Sequence, residues 1–227
     1  MSFGAASQLL RTDAHSLAAW YWQARAGQSM GVVALTRAGL ADPNSSRMHL
    51  LVAEAYREKD SFREAEAEYN KALQLEPNYV PALLGLAMVY WRDHKYEKAI
   101  PQLQSLLTLR PGDPEGSYVL ASILVARHEF DEAVPYLNAA LAGTNAILPH
   151  VHALRSKVFA AQRKTAEAVT EIKQSLEADR FGDYHYQLYR LYKALGNEKE
   201  AEAALQESES VRKRRDSTAE YPADNPP

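Results

Sequence analysis

The sequence predicts an all-α protein, a right-handed α-solenoid of stacked antiparallel helical hairpins. Three observations carry that expectation. FREAEAEYNKALQLEPN, from Phe62 to Asn78, returns with the same skeleton as YEKAIPQLQSLLTLRPG, from Tyr96 to Gly112, 34 residues further on. The alanine that closes the motif F/Y-x-x-A at Ala65, Ala99 and Ala133 returns in register at Ala168 and Ala201, in steps of 34, 34, 35 and 33. Between these marks apolar residues recur at i, i+3, i+4 and i+7, as in Leu83, Leu86, Ala87 and Tyr90 and again from Ala99 through Leu103 and Leu106. That is the period of a helix with one buried face, and a fixed repeat of this length marks units that bury their apolar faces only by stacking.

Numbering each unit so that the shared alanine is position 20 places five hairpin starts at Ser46, Val80, Pro114, Pro149 and Gly182. A degenerate sixth is in register from Thr12, with Trp22 at position 11 and Pro43 at position 32. Residues 1–11 then read as a lead and 12–215 as the repeat array. The polar, proline-bearing stretch 216–227, DSTAEYPADNPP, reads as a disordered tail. Breaks such as Arg92-Asp93-His94-Lys95 divide the two helices of a unit, and Pro43, Pro77 and Pro111 separate successive units. Position 8 is small in four units (Ala53, Ala87, Ala121 and Ser156), which lets paired helices approach. A bulky residue there would cost about 1–3 kcal/mol of overpacking.

Three positions carry sharper expectations. Position 15 lies in the turn between helices and calls for a left-handed backbone. Asp60, His94, His128 and Gly196 suit it, whereas Ala26 and Arg163 suit it poorly. Pro101 and Pro135 both fall at position 22, inside a second helix, and predict a bend with one ladder hydrogen bond missing at each. Tyr189 stands at position 8 of the last unit, so that hairpin should open or the ring should turn to cover the end of the stack.

The pattern resembles the tetratricopeptide repeat family, whose 34-residue signature is W-x2-L-G-x2-Y, then A-x3-F, then P. Residues 80–113 carry it well, with Leu86 and Ala87 at positions 7 and 8, Tyr90 at 11, Tyr96 at 17, Ala99 at 20, Leu103 at 24 and Pro111 at 32. The style of the repeats is similar to bacterial modules from envelope-associated assemblies. The resemblance implies a non-catalytic protein–protein interaction scaffold whose first helices line a concave face.

Composition narrows the rest. The chain has 227 residues, a net charge of −3 and no cysteine. The charge argues against nucleic-acid binding by the chain as a whole, and the lack of cysteine removes disulfides, thiolate metal sites and cysteine nucleophiles. No signal peptide is read in MSFGAASQLLRTDAHS and no apolar run is long enough to span a bilayer, so periplasm and cytoplasm both stay open. The histidines follow the repeat, at position 4 (His15, His49, His152, His185) or position 15 (His94, His128), and therefore do not converge on a metal. His150 and His152 point to different helix faces. No catalytic motif or phosphate loop is present, so neither enzyme activity nor a cofactor is expected. The basic run Arg212-Lys213-Arg214-Arg215 suits a helix C-terminus.

Carried over position by position, the family's groove falls here on Leu50, Leu51, Glu54, Leu84, Met88, Trp91, Arg92, Tyr118, Val119, Lys157, Tyr186 and Arg190, with Gly85, Ser122, Val125 and Gln187 beside them. The family's carboxylate clamp for acidic chaperone tails is absent, because its positions hold Leu50, Glu54, Gly85 and Val119. What remains is an apolar, aromatic groove with cations toward the last units, suited to a partner's peptide or amphipathic helix. Two other readings stay open. One is a structural subunit held in a larger complex, envelope- or membrane-associated, through Trp20-Tyr21-Trp22; the other is an accessory domain of a longer protein.

Overall fold

The structure, a computed structural model, describes residues 44–219. Among these residues the chain is helical throughout, with no strand: α1 (Ser46–Glu58), α2 (Phe62–Leu75), α3 (Val80–Arg92), α4 (Tyr96–Leu109), α5 (Pro114–Ala126), α6 (Phe130–Ala140), α7 (Leu148–Ala161), α8 (Thr165–Lys173), a 3-10 turn (Leu176–Ala178), α9 (Asp183–Leu195) and α10 (Glu198–Ala219). Among the described residues, the five starts at Ser46, Val80, Pro114, Pro149 and Gly182 fall within one residue of the beginning of an odd-numbered helix. The expected lead, the degenerate first hairpin with its Ala26 turn and aromatic cluster, and residues 220–227 lie outside the described residues. Residues 216–219 continue α10 instead of starting a tail. Local pairing explains the extension: Arg214 bridges to Glu207 at 2.6 Å, Arg215 to Asp216 at 2.8 Å, and the Ser217 hydroxyl donates to the Arg214 carbonyl.

The chain divides into two compact units, residues 1–89 and 90–227, with the division inside α3. In the first, α1 packs on α2 with Ala53, Ala65, Tyr69 and Ala72 fully buried. Tyr69 fills position 24, where later repeats carry Leu103, Leu137 and Ile172. Its larger ring is accommodated by Gly85, where a Cβ would stand 2.4 Å from the phenol. The same hydroxyl donates to Glu54 at 2.6 Å, and that carboxylate also takes Arg57.

In the second unit, α5 pairs with α6, α7 with α8 and α9 with α10, and successive hairpins pack on one another. Ala121 and Ser156 at position 8 and Ala133 and Ala168 at position 20 are all fully buried, as close helix approach requires. Ser156 shows how close: its hydroxyl donates across the hairpin to the Ala168 carbonyl at 2.8 Å. From the next repeat, the Gln187 side-chain amide donates to that hydroxyl at 2.9 Å. One buried serine thus joins three helices. A second device is written twice. Ser175 and Ser208, both at position 27, donate to the carbonyls of Pro149 and Gly182 at position 1 of the same units, at 2.6 and 2.7 Å.

The turns match the position-15 expectation at four sites and depart from it at one. Asp60, His94, His128 and Gly196 are left-handed, with φ of 54°, 56°, 62° and 77°. Arg163 is left-handed as well, at φ 62°, so the poor residue type did not alter the turn. Hairpin packing on both sides and the Lys164 amide bond to the Phe159 carbonyl at 2.9 Å over-determine the backbone there. Helices α4 and α6 run unbroken through Pro101 and Pro135. Each proline lacks the N–H for its rung, and both are exposed, so the released carbonyls face water rather than the core. At the last hairpin Tyr189 does not open the pair: α9 and α10 stay packed, and its half-buried ring lies on the apolar cluster of Ile172, Leu188 and Leu191, 5.6 Å from Tyr186.

Candidate functional site

An open groove of about 840 Å³ runs along the first helices of three successive repeats, α5, α7 and α9, with the start of α6 at its edge. Three residues expected at the site meet in it, Lys157, Tyr186 and Arg190, together with Ser122, Val125 and Gln187. The wall between them is apolar, built by Phe130, Leu154, Leu191 and Ala194. Lys157 and Arg190 both occupy position 9 of their repeats. A residue there faces away from the hairpin partner that position 8 touches, which is why the sequence can place a long cation at it. Tyr186 is 42% exposed and is held from behind by the Arg212 guanidinium, 5.8 Å from the ring centroid.

The electrostatics of this groove are one-sided. Among the described residues neither Lys157 nor Arg190 has a carboxylate or hydrogen-bond partner. The acidic residue in the wall, Asp183, already has Arg212 at 3.5 Å. The rest of the basic run at 212–215 is largely tied to Glu207 and Asp216 and adds little to the groove.

The remaining expected site residues do not join it. Trp91 and Tyr118 meet edge to face at 5.9 Å, and the row continues from Tyr118 to His150 at 6.3 Å and from His150 to Tyr184 at 6.1 Å. Tyr184 also lines the groove, so this aromatic row leads into it. The Tyr184 hydroxyl is pushed up to about 12 by burial and by neighbouring Tyr118, Asp179 and Asp183. It stays protonated and donates to Nδ1 of His150, whose own pKa is lowered by burial and by Arg180. Arg92 is exposed at the end of α3. Val119 must be removed from the site: it is 1% exposed, packed inside the second unit, and has no surface for a guest. Within the first unit Leu50, Leu84 and Met88 are half-buried, Leu51 is 43% exposed, and Glu54 is occupied by Arg57 and Tyr69.

Sequence reasoning missed two things here. The aromatic row escaped because its members fall at positions 12, 5, 2 and 3 of their repeats, so no single column reveals them. The position-4 histidines proved more specific than packing residues. His49 pairs with Glu68 at 2.6 Å and His152 with Glu171 at 2.7 Å, the same position-4 to position-23 clamp in two hairpins. That signal was available as a repeated spacing of 19. His185, whose position 23 is Ala204, turns to Asp179 at 2.7 Å instead. Among the described residues no His, Asp and Glu group gathers as a metal site, and no helix is long and apolar enough to cross a membrane.

Comparison with known proteins agrees with this architecture. Family models described as tetratricopeptide repeat match residues 46–79 and 84–147. The chain carries tetratricopeptide repeats. Among solved structures it is similar to MamA 41-end from Desulfovibrio magneticus RS-1, with TM-score 0.64 and 16% identity over 75% of this chain and 97% of that one. It is similar to YrrB, a TPR protein with an unusual peptide-binding site, with TM-score 0.61 and 22% identity over 79% and 92%. It is also similar to a chain of the APC/C hetero-tetramer Cut9–Hcn1, with TM-score 0.68 and 16% identity over 92% of this chain and 42% of that one. No curated protein matches the sequence. The repeat matches support, in general terms, a protein–protein interaction scaffold.

Proposed function

We propose that this tetratricopeptide-repeat chain is a non-catalytic interaction module that receives a peptide or helix of a partner protein in the groove formed by α5, α7 and α9. The observation that carries the proposal is the groove itself: about 840 Å³, open to solvent, with apolar side chains and an exposed tyrosine in its lining. An exposed aromatic in a concavity is the residue type that dominates binding energy at interfaces. Its first-helix walls suit the helix-in-groove and extended-peptide modes of recognition. The peptide-binding site of YrrB, on a similar fold, is in keeping with this reading.

The test is site-specific photocrosslinking in the native organism. A benzoylphenylalanine in place of Tyr186 should give a discrete adduct whose partner segment can be mapped by mass spectrometry. The same group at Thr108, exposed on the second helix α4, should give none. Adducts from Thr108 with none from Tyr186 would move the binding surface to the second helices and end this reading.

A further inference from the structure

We infer that Arg212 is a positioning residue for this groove: from outside the lining it fixes the Tyr186 ring that meets a guest. The inference rests on the groove reading above and concerns how the exposed aromatic of that groove is held. Tyr186 stands on α9 with 42% of its surface exposed. Two groups flank its ring, Tyr189 tilted at 5.6 Å and the Arg212 guanidinium 5.8 Å from the ring centroid. Among the described residues that line the groove, Tyr186 is present and Arg212 is absent. The cation therefore takes the ring from the side away from the guest. Its origin is the overhang of α10. The second helices α2 and α4 end at position 30 of their repeats, at Leu75 and Leu109. Helix α10 runs on through position 31, which is Arg212, to Ala219.

The guanidinium is itself held, which is what lets it hold something else. Its Nε donates to the Phe181 carbonyl at 3.3 Å, and a terminal nitrogen lies 3.5 Å from an Asp183 carboxylate oxygen. The side-chain stem passes over Gly182, where a Cβ would stand 3.2 Å from the Arg212 Cγ. The Gly182 carbonyl in turn takes the Ser208 hydroxyl at 2.7 Å and the Tyr186 amide at 3.0 Å. The short segment 181–183 thus ties the α10 overhang to the first turn of α9, the turn that aims Tyr186. An exposed ring samples several rotamers, and a fixed cation over its face favours one of them by about two- to fivefold. A ring already held in place loses less freedom when a guest arrives. Lysine cannot reproduce the device, because only the planar fork of arginine meets a carbonyl, a carboxylate and a ring together.

The test uses the full chain and two readouts. The first is the fluorine resonance of 3-fluorotyrosine placed at Tyr186. Arg212→Met, similar in length and uncharged, should move that resonance toward its position in the urea-unfolded chain, and Arg212→Lys should move it less. An arginine with a merely structural role would lower the thermal midpoint and leave the resonance in place. The second readout is the adduct yield from benzoylphenylalanine in place of Ala194, an exposed residue of the groove lining, in the native organism. Arg212→Met should lower that yield by about two- to fivefold. Tyr186→Ala should lower it too, and the double variant should fall no further than Tyr186→Ala alone. Circular dichroism should be unchanged by Arg212→Met; if helix is lost, Arg212→Lys carries the same comparison. Additive losses would mean that Arg212 touches the guest itself and would overturn a positioning role. So would an unmoved resonance, or a yield that Tyr186→Ala lowers and Arg212→Met does not; in either case the groove reading stands. No adduct from Ala194 or from Tyr186 would end the groove reading and this inference with it.

Discussion

Gly182 and Arg163 hold nearly the same backbone conformation, φ 77° and 62°, and their side chains are opposite in kind. At Gly182 the absence of a Cβ is required twice. The left-handed backbone costs a non-glycine residue about 1–2 kcal/mol. A Cβ would also stand 2.5 Å from the backbone oxygen of Ser208, whose hydroxyl already holds the Gly182 carbonyl. Gly182→Ala should therefore destabilise the chain by about 2 kcal/mol or more, read as a lower urea midpoint at unchanged slope. Arg163 is exposed and makes no side-chain bond among the described residues, so only its strain is at stake. Arg163→Gly relieves that strain and returns some of it as the entropy glycine loses on folding, for a net gain of about 0.5–1 kcal/mol. His94 and His128 make poorer test sites, because their rings meet Tyr96 and Phe130, two residues on, edge to face. The corresponding residue after Arg163 is Thr165, so no such contact interferes.

Among the helices, α4 and α6 show how much of the fold could be read in advance and where reading stopped. Their bounds follow from Tyr96 and Phe130 at position 17 and from the apolar column through Leu103 and Leu137, all local signals repeated in register. Their prolines announced a missing rung but not its consequence, since a rung facing water does little to interrupt a helix whose other face is buried. Replacing Pro101 by Ala restores a donor to the Glu97 carbonyl. The gain is at most about 3 kcal/mol, reduced by about 0.4–1 kcal/mol because the unfolded chain regains freedom. Pro101→Ala should raise the thermal midpoint, with no change in the rest of the array; a fall would mean that the proline shapes the packing of α4. The candidate site was legible to a lesser degree for the same reason. Lys157, Tyr186 and Arg190 could be placed because position within a repeat dictates the face of a first helix. Val119 could not, because burial at position 6 depends on how the neighbouring repeat packs. The Gln187–Ser156–Ala168 relay spans two repeats and has no signature inside either.

At the scale of the molecule, a repeat array is stabilised by terms within each hairpin and between neighbours, and its response to acid shows which of them titrate. Glu68 is desolvated, which raises its pKa, but hydrogen bonds from Lys71 and His49 outweigh that and leave it below the ordinary 4.5. The folded form thus holds fewer protons than the unfolded one. The stabilisation is complete above pH 4.5 and is lost as pH falls through the folded value. His150 acts in the same direction at higher pH. Burial and then Arg180 lower it from 6.5, so the fold favours the neutral ring that accepts the Tyr184 hydroxyl. Its contribution is intact above pH 6.5 and fades as pH falls through the lowered value. Tyr118 packs on the ring and carries no charge, its own pKa being raised by burial; Asp179 and Asp183 act on the Tyr184 hydroxyl, which they help to keep protonated. The ring is also exposed to solvent at its edge, which keeps the effect modest. The thermal midpoint should accordingly decline in two stages on acidification. His150→Gln should remove the first and leave the second, while Glu68→Gln should flatten the second. Because His150 links Tyr118 to Tyr184 at the mouth of the groove, the first stage should also loosen the aromatic row. Quenching of Trp91, which meets Tyr118, should change over the same pH interval and stay constant in His150→Gln.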